Sequence, residues 1–181
     1  MKTVLIYALL ISFIAFACDE EKVIQKKETD SVIVEILPDQ ISSNVEVFFV
    51  DSSFTKAVLK AKRARVYQAQ METLLDGGIN VEFMSKQSGK RVSVLTADSA
   101  RIDDKTKDML AGGNVIVISD SSGTKLETSL LEWSHETQKL YSTEYVKITS
   151  PTETIQGYGF ESDQNLSNYK IFKVSGEQRQ Q

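Results

Sequence analysis

A short pattern of apolar and small residues recurs four times along the chain. Each copy has an apolar residue, a small or hydroxyl residue two positions later and a third residue three positions beyond: Leu59/Ala61/Ala64, Leu95/Ala97/Ala100, Leu126/Thr128/Leu131 and Ile155/Gly157/Phe160. Their first residues are 36, 31 and 29 positions apart (95 − 59, 126 − 95 and 155 − 126), a spacing typical of repeated supersecondary units. The GGNV run at 112–115 also echoes the GGINV run at 77–81. The chain is therefore expected to contain stacked copies of one unit.

Each unit is expected to be built from β-strands. Apolar residues alternate with polar ones, as in Ile79, Val81 and Phe83, and no segment sustains the i, i+3, i+4 spacing of a helix. Turn signals such as the SGK run at 88–90 and the SSG run at 121–123 separate these runs. The fold class predicted is all-β, with two facing antiparallel sheets.

Alternation also predicts which side chains point inward, because successive residues of a strand point to opposite faces. The predicted apolar interior contains Leu59, Val66, Ile79, Val81, Phe83, Leu95, Ile102, Val115, Val117, Leu131, Trp133, Val146, Ile148 and Phe160. Small residues recur where a strand would bend from one sheet to the other, at Ala61, Ala64, Ala97, Ala100, Gly157 and Gly159.

The N-terminus has the layout of a secretory signal. Residues 1–17 contain one early lysine followed by an apolar stretch that ends in small residues. Residues 15–18, AFAC, resemble the lipobox of bacterial lipoproteins, so Cys18 is the predicted lipid attachment site. An uncleaved anchor helix or an ordinary signal peptide are the alternatives. Residues 18–31 are then the lipidated cysteine and a flexible, charged tether.

Composition and motifs argue against several other functions. The formal net charge of −4 becomes −5 when Lys2 leaves with the signal, which disfavours a nucleic-acid partner. Cys18 is the single cysteine, so no disulfide can form within the chain. His135 is the single histidine and is expected in an exposed loop, so no metal site is predicted. No nucleophile and base pair can be proposed, so no catalytic residue and no cofactor are expected.

One basic cluster interrupts this acidic chain, at Lys60, Lys62, Arg63 and Arg65. Two interpretations stay open at this point: a solvated outer strand face, or a contact with anionic lipid headgroups or lipopolysaccharide phosphates.

The ordered succession of these segments resembles the LptC family of lipopolysaccharide export proteins. The resemblance covers roughly residues 41–175 and rests on LKAKRA at 59–64, VLTADSA at 94–100, LAGGNV at 110–115, LETSLL at 126–131 and GYGF at 157–160. It implies an open, twisted β-jellyroll at residues 32–175, followed by a polar tail at 176–181. Many members keep an N-terminal transmembrane helix, whereas the mature N-terminus of this chain is expected to be the lipidated cysteine.

The resemblance also implies a function and partners. The interior would hold lipopolysaccharide acyl chains, received from the inner-membrane ABC transporter and passed to a downstream LptA-like periplasmic protein. The expected location is the periplasmic face of the inner membrane in a diderm bacterium, and the transporter's ATPase would supply energy. By residue pattern alone, an ordinary core is the favoured interpretation of these interior residues, and the family resemblance reverses that preference. The alternatives are a structural envelope lipoprotein that scaffolds a complex without carrying lipid and, less favoured, a hydrolase.

The last predicted strand, residues 169–174, has no later segment to cover its outer edge. An uncovered edge accepts a strand from a partner. Tyr169, Ile171, Phe172 and Val174 are therefore the predicted edge for the downstream protein, and the opposite edge, near residues 45–50, is expected to face the transporter.

Overall fold

The computed structural model describes residues 36–179, and every regular element in this part is a β-strand. The strands are β1 (Gln40–Asp51), β2 (Phe54–Tyr67), β3 (Glu72–Met84), β4 (Arg91–Asp103), β5 (Met109–Ser119), β6 (Lys125–Trp133), β7 (Lys139–Thr149), β8 (Glu153–Asp163) and β9 (Tyr169–Arg179). They form one antiparallel sheet in chain order, so each strand pairs with the next. Within these residues no helix has the length and apolarity that crossing a membrane requires. The all-β prediction is confirmed.

The sheet bends along a crease that crosses the middle of the strands. Register shifts interrupt seven of the eight strand pairs there, for example between Ala61 and Arg63, Thr96 and Ser99, and Gln156 and Gly157. A bulge of this kind increases the local twist and bends the strand. The small residues that the sequence places at a bend lie at this crease.

The crease divides the sheet into two halves that face each other. Half 1 contains the strand ends next to the turns at 68–71, 104–108, 134–138 and 164–168, and half 2 contains those next to the turns at 52–53, 85–90, 120–124 and 150–152. The two predicted facing sheets are therefore one continuous sheet, and most strands contribute to both halves. This architecture matches an open β-jellyroll.

Short connections hold the strands in order, and side chains of the turns satisfy their backbone amides. In the turn at 104–108, the Asp103 carboxylate accepts hydrogen bonds from the backbone N–H groups of Lys105 at 2.8 Å and Thr106 at 2.9 Å. These hydrogen bonds stabilise the charged form and hold the pKa of Asp103 below its ordinary value.

A continuous apolar core fills the space between the halves. The Trp133 ring of half 1 packs edge-on against Phe49 of half 2, with ring centroids 5.1 Å apart, and lies 5.6 Å from the Phe83 ring of half 2. Burying each such side chain stabilises the fold by about 1.5–3 kcal/mol. Contacts between the halves therefore contribute directly to folding.

Candidate lipid-binding interior and sheet edges

The interior between the halves contains nearly all of the positions predicted from alternation. Thirteen of the fourteen are buried, none more than 4% exposed: Leu59, Ile79, Val81, Phe83, Leu95, Ile102, Val115, Val117, Leu131, Trp133, Val146, Ile148 and Phe160. The exception is Val66, which is only half-buried because it lies next to the end of β2 and the turn at 68–71. The predicted face is thus inward, apart from this margin.

Several buried apolar residues were not among the predicted interior positions. They include Phe49, Ala57, Leu75, Met109, Ala111, Leu140 and Leu166. Leu75 lies between Ala64 and Ala100 on the neighbouring strands, so one large side chain occupies the space that two small ones leave. The alanines of the repeat were a signal for such a large neighbour.

The interior is closed in this structure, and a few polar contacts join the two halves at their outer ends. The buried Lys56 side chain of half 2 donates a hydrogen bond of 2.9 Å to the His135 carbonyl of half 1. The Ser93 hydroxyl donates to the Gln164 carbonyl. The Tyr169 hydroxyl donates to a Glu153 carboxylate oxygen at 3.2 Å. We call these three contacts the seam.

His135 corrects one prediction. It lies in a turn, as expected, but it is half-buried rather than exposed, with its ring centroid 5.8 Å from that of Trp133 and 6.3 Å from that of Phe49. Its backbone N–H donates to an Asp108 carboxylate oxygen at 2.8 Å. Burial, followed by the nearby positive charge of Lys56, lowers the pKa of His135 below its ordinary value.

Two ring nitrogens at this end of the interior have no hydrogen-bond partner among the described residues. They are the Nε1 of Trp133 and the Nδ1 of His135. A buried polar group without a hydrogen-bond partner destabilises a fold by about 1–3 kcal/mol. Because of these two unpaired nitrogens, burial at this end of the interior stabilises the fold less than burial in the purely apolar rows.

The basic cluster is mostly paired with carboxylates. Arg63 and Arg65 both contact the Asp76 carboxylate, at 2.8 Å and 3.0 Å, and the Lys60 ammonium lies 3.4 Å from the Glu46 carboxylate. These are surface pairs on the sheet, and exposed pairs contribute little to stability. The arrangement favours the solvated outer face over an anion site.

Both edge strands have one side that no described strand covers. On β9, Tyr169 and Ile171 are half-buried, whereas Phe172 is 56% and Val174 is 58% exposed. The strand also continues past the predicted end at Val174 to Arg179, because the first residues of β8 supply pairing partners there. On β1, Phe48 and Val50 are each 56% exposed.

The described residues contain no cluster of three or more His, Cys, Asp or Glu side chains that could hold a metal ion. Cys18, the signal segment at 1–17 and the whole tether up to residue 31 lie outside the described residues. The predictions of lipid attachment and of a flexible linker therefore stay predictions.

A comparison with protein families adds independent support to this geometry. Residues 4–175 match the family described as lipopolysaccharide-assembly, LptC-related, which covers most of the chain. No match among curated proteins accompanies it. Proteins of this family are components of a transport bridge in the envelope of diderm bacteria. With its single bent antiparallel sheet and apolar interior, the chain belongs to the LptC family and takes part in lipopolysaccharide transport.

Proposed function

We propose that this protein binds lipopolysaccharide non-covalently, with the acyl chains between the two halves of the sheet. It accepts the lipid from the inner-membrane ABC transporter and relays it to a downstream LptA-like protein. The observation that carries the proposal is the continuous apolar interior between the halves, in a member of a lipopolysaccharide-transport family.

The interior suits acyl chains because apolar side chains line most of it. Transfer of apolar surface out of water is favourable by about 25 cal/mol per Å². An acyl chain that enters between the halves replaces contacts between protein side chains with contacts of the same kind. The change in free energy is then small, as a carrier that must also release its lipid requires.

Entry of a lipid requires the halves to separate, because the interior residues are packed against each other. The crease is continuous backbone, so separation occurs at the opposite side, where the seam lies. The neutral hydrogen bond from Ser93 contributes about 0.5–1.5 kcal/mol net, and the two that involve a charged group, at Lys56 and Glu153, about 1.5–3 kcal/mol each. The seam therefore opens only when lipid contacts compensate for these hydrogen bonds as well as for the separated apolar surfaces.

The free edges supply the docking sites for the protein partners. A strand added to an edge gains main-chain hydrogen bonds, and the alternating side chains define its register. In this proposal β1 faces the transporter and β9 faces the downstream protein. Two neighbouring jellyroll interiors would then form one continuous apolar path.

The proposed location is the periplasmic face of the inner membrane. A diacylated or triacylated Cys18 would anchor the chain, since each buried CH₂ contributes about 0.8 kcal/mol. The tether at 19–31 would span on the order of 20 Å as a flexible coil. The transporter's ATPase supplies the energy, and this chain supplies the surface along which the lipid moves.

Photo-crosslinking from the two faces of the sheet tests the proposal. A photoreactive amino acid at the buried Phe83, Val117 or Ile148 should capture lipopolysaccharide in cells. The matched controls are Glu82, Ile116 and Lys147, each one residue from a test position and on the opposite face. Capture is detected as a slower band that carries both the protein and lipopolysaccharide.

Equal capture from the two faces would contradict binding in the interior. Absence of lipid from both faces, with protein partners still co-purified, would favour the scaffolding lipoprotein. That alternative uses the same free edges and requires no lipid between the halves.

A further inference from the structure

The two edge strands carry opposite charge. Strand β1 contains the acids Glu46 and Asp51 and no basic residue. Strand β9 contains Lys170, Lys173 and Arg179 against the single acid Glu177. The net charge is −2 on β1 and +2 on β9, although the whole chain is acidic. The two ends of the sheet are thus electrostatically different.

The lysines of β9 are placed to act on an incoming strand. Lys170 and Lys173 are exposed, and neither forms an ion pair with a described residue. The ammonium group of Lys170 lies 5.2 Å from the centroid of the Phe172 ring, which holds the charge next to an exposed apolar side chain. Phe172 in turn covers Gly159 of the neighbouring strand. The uncovered edge therefore combines a positive charge with an apolar contact surface.

The acids of β1 are partly balanced within the sheet. Glu46 lies 3.4 Å from Lys60, and Asp51 lies 3.4 Å from Lys56, both on β2.

A positively charged edge strand placed beside β9 would bring like charges opposite each other, and such pairs are unfavourable on neighbouring strands. Pairing of two β9 edges is therefore disfavoured, which is a common way to suppress edge-to-edge aggregation.

We propose that β9 selects a partner edge strand rich in Asp and Glu, so that charge sets which end of this protein the downstream protein joins. The inference rests on the proposed function, since it concerns the edge at which the LptA-like protein docks. Main-chain hydrogen bonds hold the two strands together, and the lysines determine which partner strand binds and at which end of this protein it docks.

Reversal of the two charges tests this. The full-length Lys170→Glu/Lys173→Glu variant should bind the LptA-family protein of the same bacterium about tenfold more weakly, since two attractions become two repulsions. Wild-type affinity should also fall as salt rises from about 0.1 M to about 1 M, where the Debye length shrinks from about 10 Å to about 3 Å. The variant should lack that decrease. The Lys86→Glu/Lys90→Glu control makes the same change in net charge in the turn at 85–90.

Separate outcomes distinguish the inference from the proposed function. If Ile171→Pro, which removes a backbone donor, abolishes binding but charge reversal has no effect, docking at β9 stands and charge selection is wrong. If folded versions of both variants bind normally, docking at β9 is wrong as well. An equal loss in the Lys86/Lys90 control overturns the inference. Self-assembly of the chain alone, seen by mass photometry, would place the acidic β1 of a second copy on this edge and overturn the partner assignment.

Discussion

His135 illustrates how one side chain connects the interior with the seam. Its ring lies beside Trp133 and Phe49, while its carbonyl accepts the hydrogen bond from Lys56. Burial lowers its pKa, so the folded protein favours the neutral imidazole. Charged neighbours act in both directions: Lys56 and Lys107 lower the pKa, and Asp108 and Asp51 raise it. Protonation of this residue therefore opposes folding.

We expect the stability of the protein to fall on mild acidification. In the unfolded chain the histidine gains its proton near its ordinary pKa of about 6.5, whereas in the folded protein it does so only at lower pH. The unfolded state thus binds more protons between these two values, and stability is lost as pH falls through that window. The loss is absent at neutral pH, where the residue is uncharged in both states.

The measurement is chemical denaturation at several pH values from about 7 to about 5, compared with His135→Phe. Phenylalanine keeps a ring beside Trp133 and removes the titrating group. Because His135 is the single histidine, the variant should lose less stability over this range than the wild type. Parallel curves for the two proteins would show that the pKa of His135 does not differ between the folded and unfolded states.

At the scale of the strand, the sequence contained a signal for the crease in addition to the alternation that predicted the strands. The repeat has an odd step, from Ala61 to Ala64, although both residues are buried. A regular strand would place them on opposite faces, and the register shift between Ala61 and Arg63 restores the same face. The odd spacing was therefore the signature of the crease.

Other features depend on contacts between distant segments and could not be predicted in this way. Lys56 and His135 are 79 positions apart and meet only because the halves face each other. A charged residue in a strand and a histidine in a polar turn both suggest exposure, so local pattern gave the wrong burial for His135. Similarly, the polar sequence after residue 175 predicted a tail, but pairing with the first residues of β8 extends the strand to Arg179.

The crease requires a glycine at one position where two strands approach closely. A Cβ at Gly157 would lie 2.2 Å from the Lys173 carbonyl oxygen and 2.8 Å from a methyl carbon of Ile171. We expect Gly157→Ala to destabilise the protein by about 1–3 kcal/mol, because the backbone of β9 must shift. Thermal or urea denaturation measures the change.

Gly112→Ala is the matched control, in the crease region of β5. The nearest atoms to its added Cβ are side-chain atoms of Ser99 and Leu130, at 3.6 Å and 3.7 Å, which is ordinary contact. This variant should stay within about 0.5 kcal/mol of the wild type. If the two substitutions cost the same, close approach at Gly157 is not what requires glycine there.

At the scale of the whole molecule, the proposed mechanism requires the seam to open before the interior becomes accessible. The crease, the edges and the apolar rows persist whether the halves are together or apart, but the contact between Tyr169 and Glu153 exists only when they are together. A lipid that binds the separated state more tightly shifts the population toward it. Holding the halves together should therefore exclude lipid.

A covalent link across the seam tests this. In Glu153→Cys/Tyr169→Cys, a short bis-maleimide should join β8 in half 2 to β9 in half 1. Joined protein that carries the photoreactive residue at Phe83 should capture about a tenth or less of the lipopolysaccharide captured before linking, because the link removes the open state from the equilibrium. Lys147→Cys/Gln156→Cys is the control, since these residues pair directly within half 2 and a link between them leaves the seam free. Single-cysteine versions identify any reaction through Cys18. If the linked seam variant captured as much lipid as the linked control, the lipid would enter without separation of the halves, and the opening mechanism would have to be abandoned.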